Sequence, residues 1–362
     1  MNTKDQNLFN KLKIYMDIDG MSRYEEDVAN ELKKTLNKNL EYSRDGLGSM
    51  IINQIEKNNG PIIQIAAHMD EVGFIVQDIL DNGQIRLSMI GGVWPLTVIG
   101  TKGVLILNNG NKLAGVFGHT SIHILEIEKR AKAPELKELF LDIGFSSKKE
   151  VEDSLVEVGN RVCLTGEVFS FGKDKKLVAG KAMDNRAGVA ILDELIIRLR
   201  DKKLPNKTYF VGTTQEEVGT RGAKTSVSKI NPDIAIAIDT CAAHDTFGAI
   251  SGIQKLGNGA ALRIKDGGTL MDPKFVQYIM DIAKKHNIPV YKYVAQGGGT
   301  DAAELQYGAN GVATITISLP QRYLHSPLGV CHLDDLHSTI DLIEKIILGL
   351  DQKTYDSIIK YK

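Results

Sequence analysis

Cysteine is sparse in this 362-residue chain: Cys163, Cys241 and Cys331 stand far apart and form no C-x-x-C pair. Three scattered thiols exclude a disulfide framework and a thiolate zinc site, and they suit a reducing, cytoplasmic setting. Aromatics are few as well, 6% with a single tryptophan, which leaves little surface for stacking sugars. No run of five like charges occurs. Formal net charge is −1, and the longest basic cluster is Lys173, Lys175 and Lys176, so nucleic acid finds no electrostatic footprint. No stretch approaches the ~18 continuous apolar residues of a membrane span. Met1 to Lys13 is polar and charged and lacks the apolar core of a signal peptide. The composition, 43% hydrophobic and 25% charged, is that of an ordinary globular protein.

What is present is a set of carboxylates and histidines at the ends of short apolar runs. Ile62 to Ala67 leads into His68-Met69-Asp70, and Leu177 to Ala179 precedes Met183-Asp184-Asn185. Lys207 to Thr213 leads into Gln215-Glu216-Glu217, Asp233 to Ile238 into Asp239, and Gly311 to Leu319 into the loop carrying His325. From Leu177 onward strands alternate with helices. The spacing predicts helices over 185–200 (Val189, Leu192, Leu195, Ile196 and Leu199 on one stripe), 222–228, 273–285 and 334–350. Such alternation predicts an α/β three-layer sandwich with a mostly parallel central sheet and ligands at the carboxyl ends of its strands.

An earlier helix is expected from Ser22 to about Leu36, where Ser22 and Glu25 have the spacing of a capping box. Residues 73–171 differ in character: short β-like pieces between glycine turns, at 73–79, 84–89, 103–107 and 112–117. They read as an inserted β-rich domain within a discontinuous catalytic domain of residues 1–72 and 172–362. The insertion holds Gly91-Gly92-Val93-Trp94-Pro95 and almost none of the ligand candidates.

Taken singly, each site residue has a plainer reading. His68 and His325 could be turn residues, Asp184 an N-cap, Glu216-Glu217 an exposed acidic turn and Asp239 a solvated strand end. Taken together they offer two imidazoles and four carboxylates, three ligands for each of two divalent ions with one glutamate to spare. Asp70, two residues from His68, is placed to hold the imidazole's second nitrogen. Adjacent glutamates leaving a strand point to opposite sides, so one can ligate while the other faces water. Such a site is equipment for amide hydrolysis. His119, His123, His244, His286, His332 and His337 read as surface or packing residues.

The strings A-A-H-M-D-E-V-G-F, A-G-K-A-M-D-N-R-A-G, T-T-Q-E-E-V-G-T-R-G-A, A-I-D-T, G-G-G-T-D-A and R-Y-L-H-S-P occur in this order. As an ordered set they resemble the TET-type and glutamyl aminopeptidase family of dinuclear metallopeptidases, some of which are labelled endoglucanases. The likeness runs from about Tyr24 to Leu350. It implies one metal held by His68 and Asp239, the other by Glu217 and His325, with Asp184 bridging. Glu216 would be the general base, Asp70 the orienter of His68, and the insertion a PDZ-like domain that helps subunits associate. Zinc or cobalt is the expected metal, with manganese also suited. Peptides would be the substrates, with cleavage of the N-terminal residue, and the protein a homo-oligomer built from dimers, a dodecamer among the expected forms. Cys241-Ala242-Ala243-His244 departs from the family pattern, which bears on substrate preference. A related dinuclear carboxypeptidase or N-acyl amino acid deacylase is the second reading. The long gap between His68 and Asp184 speaks against it, because those relatives place their accessory domain after the glutamate pair. Glycoside hydrolysis by Glu216 and Glu217 would leave the histidines and aspartates without a task, and a silent scaffold would leave the base without one.

Overall fold

The computed structural model describes residues 1–56 and 58–358. Helices α1 (Thr3–Asp17) and α2 (Glu26–Lys33) precede strands β1 (Leu40–Arg44), β2 (Met50–Gln54) and β3 (Ile62–His68). Six strands then close into a barrel: β4 (Gly73–Ile79), β5 (Ile85–Ile90), β6 (Lys102–Ile106), β7 (Lys112–Gly118), β8 (Phe140–Asp142) and β9 (Arg161–Leu164), with α3 (Lys148–Asp153) before the last. After β10 (Phe169–Phe171) and β11 (Leu177–Gly180) come α4 (Met183–Leu199), β12 (Lys207–Thr213), α5 (Arg221–Ile230) and β13 (Ile234–Ala242). The rest is β14 (Ala260–Lys265), α6 (Pro273–His286), β15 (Val290–Val294), α7 (Ala302–Leu305), β16 (Ala313–Gln321), β17 (Gly329–His332), α8 (Leu333–Gly349) and α9 (Gln352–Ile358).

The main sheet has eight strands in the order β1-β2-β12-β3-β13-β16-β14-β15. Its centre, β12-β3-β13-β16, is parallel. A mostly parallel sheet was the expectation; the observed sheet is mixed. β1 and β2 are joined by the tight Asp45–Gly48 turn and can pair only antiparallel, and β2 with β12 and β14 with β16 are antiparallel too. β3 and β13 are buried almost throughout, as strands covered on both faces must be, which explains their continuous apolar sequence. Helices α4 and α8 lie against one face, and α5 and α7 against the other. The predicted stripe of α4 and the inward residues of α8 (Leu336, Ile340, Ile343 and Ile347) are fully buried. Each such side chain contributes about 1.5–3 kcal/mol of burial.

Three local readings need correction. The N-terminal segment, read only as polar and charged, forms α1, which buries Leu8, Leu12, Tyr15 and Met16. The capping box is absent: α2 starts at Glu26, Glu25 makes no side-chain cap bond, and Ser22 lies outside the helix. Both side chains are committed to distant partners instead. Strand β11, expected in the main sheet, pairs antiparallel with β10 and β17 in a separate three-stranded sheet. Asp184 therefore approaches the cluster from beside the main sheet.

The β-rich insertion is a closed barrel with its own core, in which Phe74 and Phe117 meet at 5.3 Å between ring centroids. Lys112 on β7 reaches Asp19 in the main body at 2.7 Å. Among the described residues no helix is long and apolar enough to cross a membrane.

Candidate active site

His68 ends β3, Glu216 and Glu217 follow β12, and Asp239 lies in β13, so three neighbouring strands deliver side chains to one end of the sheet. Asp184 arrives on the first turn of α4, where its backbone is not yet helical (φ −80, ψ 109). His325 comes from the loop between β16 and β17, in a left-handed conformation (φ 51).

The distances bring the expected residues together. His68 Nε2 stands 3.2 Å from Asp184 Oδ1 and 3.8 Å from Asp239 Oδ1. His325 Nε2 stands 3.4 Å from the other oxygen of Asp184, Oδ2, and 3.6 Å from Glu217 Oε1. One carboxylate thus turns one oxygen to each histidine. Both imidazoles are oriented from behind. The Nδ1 of His325 is 2.6 Å from the carbonyl of Gly92, a barrel residue. That of His68 is 3.1 Å from the main-chain carbonyl of Asp70 and 3.4 Å from its Oδ1. With Nδ1–H donated to a carbonyl, each ring presents Nε2 to the cluster. Gly91, before the orienting carbonyl, has φ +72, and a Cβ there would meet Glu217 Cβ at 3.2 Å.

Asp70 is fully buried and does more than face His68. Its Oδ1 accepts the Glu216 amide at 3.0 Å, and its Oδ2 accepts the Glu217 amide at 3.2 Å and the Ser22 hydroxyl at 2.6 Å. The turn that presents both glutamates is built on this carboxylate.

Three sets of ligand atoms lie close enough to hold an ion: His68, Asp184 and Asp239; Asp184, Glu217 and His325; and His68, Glu216 and Glu217. The first two share Asp184, use all five expected ligands and leave Glu216 free. The electrostatics favour cations. Desolvation, then the nearby carboxylates, push Glu217 up to about 8 and raise Asp239 and Glu216, the last well above the ordinary glutamate value. Desolvation opposes charge on His68 and His325, yet Asp184 and its neighbours outweigh it, holding His68 well above the ordinary value and His325 at about 9. Asp184 is lowered despite its desolvation, because both imidazoles bond it. Glu217 Oε1 is buried without a hydrogen-bond partner. Crowded carboxylates with an orphaned oxygen and two oriented imidazoles are a donor set that fits divalent metal.

The cluster floors a cavity of about 800 Å³ whose wall includes Ala242, His244, Ile250, Ile253, Arg263, Tyr293 and Leu324. His244, read from sequence as surface or packing, belongs to this wall. Arg263 is held by Tyr293 Oη at 2.7 Å and the Thr240 carbonyl at 2.8 Å. Asp301 is buried behind the site, accepts from Thr213 Oγ1, and is pushed up to about 7 chiefly by desolvation. It belongs to the G-G-G-T-D-A string and precedes α7, which its side chain does not cap. Gly92 was missed because a carbonyl ligand to a histidine leaves no side-chain signature.

Residues 48–342 match the family described as M42 glutamyl aminopeptidase. The chain belongs to that family. It is an M42 aminopeptidase, a hydrolase acting on peptides. The glutamyl aminopeptidase of Lactococcus lactis subsp. cremoris is 33% identical over 98% of this chain and 99% of its own. Among solved structures, aminopeptidase APDkam598 from Desulfurococcus kamchatkensis superposes with a TM-score of 0.92 at 33% identity, covering 99% of each chain. The TET1 peptidase of Pyrococcus horikoshii, which can assemble into a tetrahedron or a large octahedral shell, matches this M42 chain with a TM-score of 0.84 at 31% identity, over 95% of this chain and all of its own (100%).

Proposed function

We propose that this M42 member is a metal-dependent aminopeptidase that uses two divalent ions and Glu216 as general base. The observation that carries the reading is Asp184 with one oxygen toward each imidazole. His68 and Asp239 would hold one ion, Glu217 and His325 the other, with Asp184 shared and zinc or cobalt the expected metal. Ions so held supply a nucleophile from water near neutral pH and an electrophile for the scissile carbonyl. Glu216, not needed to complete either ligand set, takes a proton from the attacking water and returns it to the departing amine. Asp70 fixes the turn that aims Glu216 and backs the imidazole of His68. The cavity wall receives the first side chain of the substrate. Arg263 is the one lysine or arginine among the residues described around that cavity. Its Nη1 stands 3.4 Å from the buried Asp266 carboxylate, so only the charge it does not share there favours an acidic first residue over a basic one. The barrel, expected to be PDZ-like, would help copies of the chain associate, in keeping with the assemblies of the TET1 peptidase.

Chelation should abolish hydrolysis of aminoacyl amides, and zinc or cobalt added singly should restore it. Activity that survives complete removal of metal would defeat the reading. In the same assay glutamyl and aspartyl amides should be cleaved faster than lysyl amides, and N-acyl amino acids should not be cleaved. A lysyl preference would dismiss the role of Arg263, and deacylation would move the protein to the second reading.

Chelation also carries a pH signature. His325 is raised from 6.5 to about 9 and Glu217 from 4.5 to about 8. Both groups hold their proton more tightly folded than unfolded. Their contribution is complete below the unfolded value and gone above the folded one. The melting temperature of the chelated protein should therefore fall as pH rises from 6.5 to about 9. A melting temperature that climbs over this window would contradict the assignment.

A further inference from the structure

Three successive amides in the glutamate turn are held by buried carboxylates from outside it. Asp70 takes those of Glu216 and Glu217; the first, that of Gln215, goes to Glu25 Oε1 at 3.0 Å. The same Oε1 accepts the amide of Arg23 at 2.9 Å, so Glu25 joins the loop before α2 to the end of β12, across 190 residues of chain. Glu25 is 5% exposed, Gln215 also 5% and Ser22 6%. Gln215 has φ +58, a conformation that a non-glycine residue keeps only when its surroundings impose it. The bond to Glu25 is such an imposition, one residue before Glu216. Ser22, in the same loop, donates to the Asp70 oxygen that holds Glu217. Glu25 does not cap α2, so the helix does not account for its burial.

We propose that Glu25 is a positioning residue for the reaction: by accepting the Gln215 amide it sets the backbone from which Glu216 reaches the substrate water. The inference rests on Glu216 being the base. Glu25 touches neither substrate nor metal, so its removal should lower turnover and leave substrate affinity and metal content alone.

The test is steady-state kinetics on metal-loaded protein well below its melting temperature. Glu25→Ala should lower kcat about tenfold, with KM and bound metal unchanged, because misplaced groups lose rate and not affinity. Glu25→Gln, whose amide oxygen can accept the same two N–H groups, should recover most of that loss. Should Glu25→Ala fail to fold, Glu25→Asp, one methylene short of the Gln215 amide, is expected to show the same fall in kcat. Val28→Ala, which loosens the buried face of α2 without touching the turn, should lower the melting temperature and leave kcat intact. The proposal is overturned by a Glu25→Ala kcat within about twofold of the parent, by a change confined to KM, by Gln faring no better than Ala, or by an equal kcat loss in Val28→Ala. Glu216→Gln belongs in the same series. If it keeps its turnover, the assignment of the base has failed; if it loses turnover while Glu25→Ala does not, only the role of Glu25 has failed.

Discussion

Glu216→Gln is expected to bind metal as the parent does and to lose turnover by a factor of about 10² or more. The substitution is nearly isosteric and leaves the main chain untouched, so the Glu216 amide still donates to Asp70 Oδ1 and the turn keeps its shape. Neither ligand set that shares Asp184 includes Glu216, so metal content should hold. What disappears is a carboxylate at the cavity wall whose affinity for protons is well above that of an ordinary glutamate, through desolvation and then through Asp239 and Glu217, with His68 opposing. A carboxylate in this place can take a proton and hand it back; an amide can do neither. Glu217→Gln makes the useful contrast, because it should lose metal together with activity. Unchanged turnover in the metal-loaded Glu216→Gln protein would remove Glu216 from its role. Loss of metal in that variant would assign it to the third ligand set, with His68 and Glu217.

The site was legible in the sequence to the extent that its side chains break a local pattern. A carboxylate at the end of Ile234–Ile238, or two in a row after β12, contradicts burial unless positive charge stands nearby, and that contradiction can be read residue by residue. The supports of the site were not legible, since they obey local patterns while serving distant partners. Ser22 and Glu25 have capping-box spacing, yet they bond Asp70 and Gln215, 48 and 190 residues away. Local spacing states what a side chain can do and leaves open which partner wins. The antiparallel flanks escaped for a related reason. Strand–helix alternation predicts parallel pairing only where a crossover intervenes, and β14, written Ala-Ala-Leu-Arg-Ile-Lys between polar loops, has no such marker. The barrel strands β8 and β9 were missed because they are three and four residues long, too short to display a period of two.

Arg186→Met should destabilise the metal-loaded protein by about 3–5 kcal/mol, measured from its denaturant midpoint. Among the described residues Arg186 is the largest fully buried side chain. All five of its N–H donors are used. Nε donates to the Met69 carbonyl at 2.9 Å, Nη1 to those of Tyr15 at 2.6 Å and Ile18 at 2.9 Å, and Nη2 to that of Gly20 at 3.1 Å and to Glu71 Oε1 at 3.2 Å. Gly20 owes its identity to this approach, since a Cβ there would lie 2.8 Å from Nη2. Glu71 is shared with Lys181, whose Nζ also reaches Asp19 at 2.7 Å, and Asp19 in turn receives Lys112 from the barrel. Methionine fills much of the volume but strands the carbonyls of Met69, Tyr15 and Ile18 and a half-neutralised carboxylate away from water, while the Gly20 carbonyl keeps only the Glu71 amide; this is the costly way to break a buried ionic network. Arg186→Lys should recover only part of the loss, because one ammonium group cannot cover a planar fork of five donors. The network flanks Asp70 through Met69 and Glu71, and Asp184 through Lys181 and Arg186 itself, so turnover should fall in both variants even where they remain folded. A midpoint shift no larger than that of an exposed lysine substitution such as Lys149→Ala would show that the surrounding carbonyls find other partners. In that case the joint between barrel, α1 and site would have to be credited to apolar packing instead.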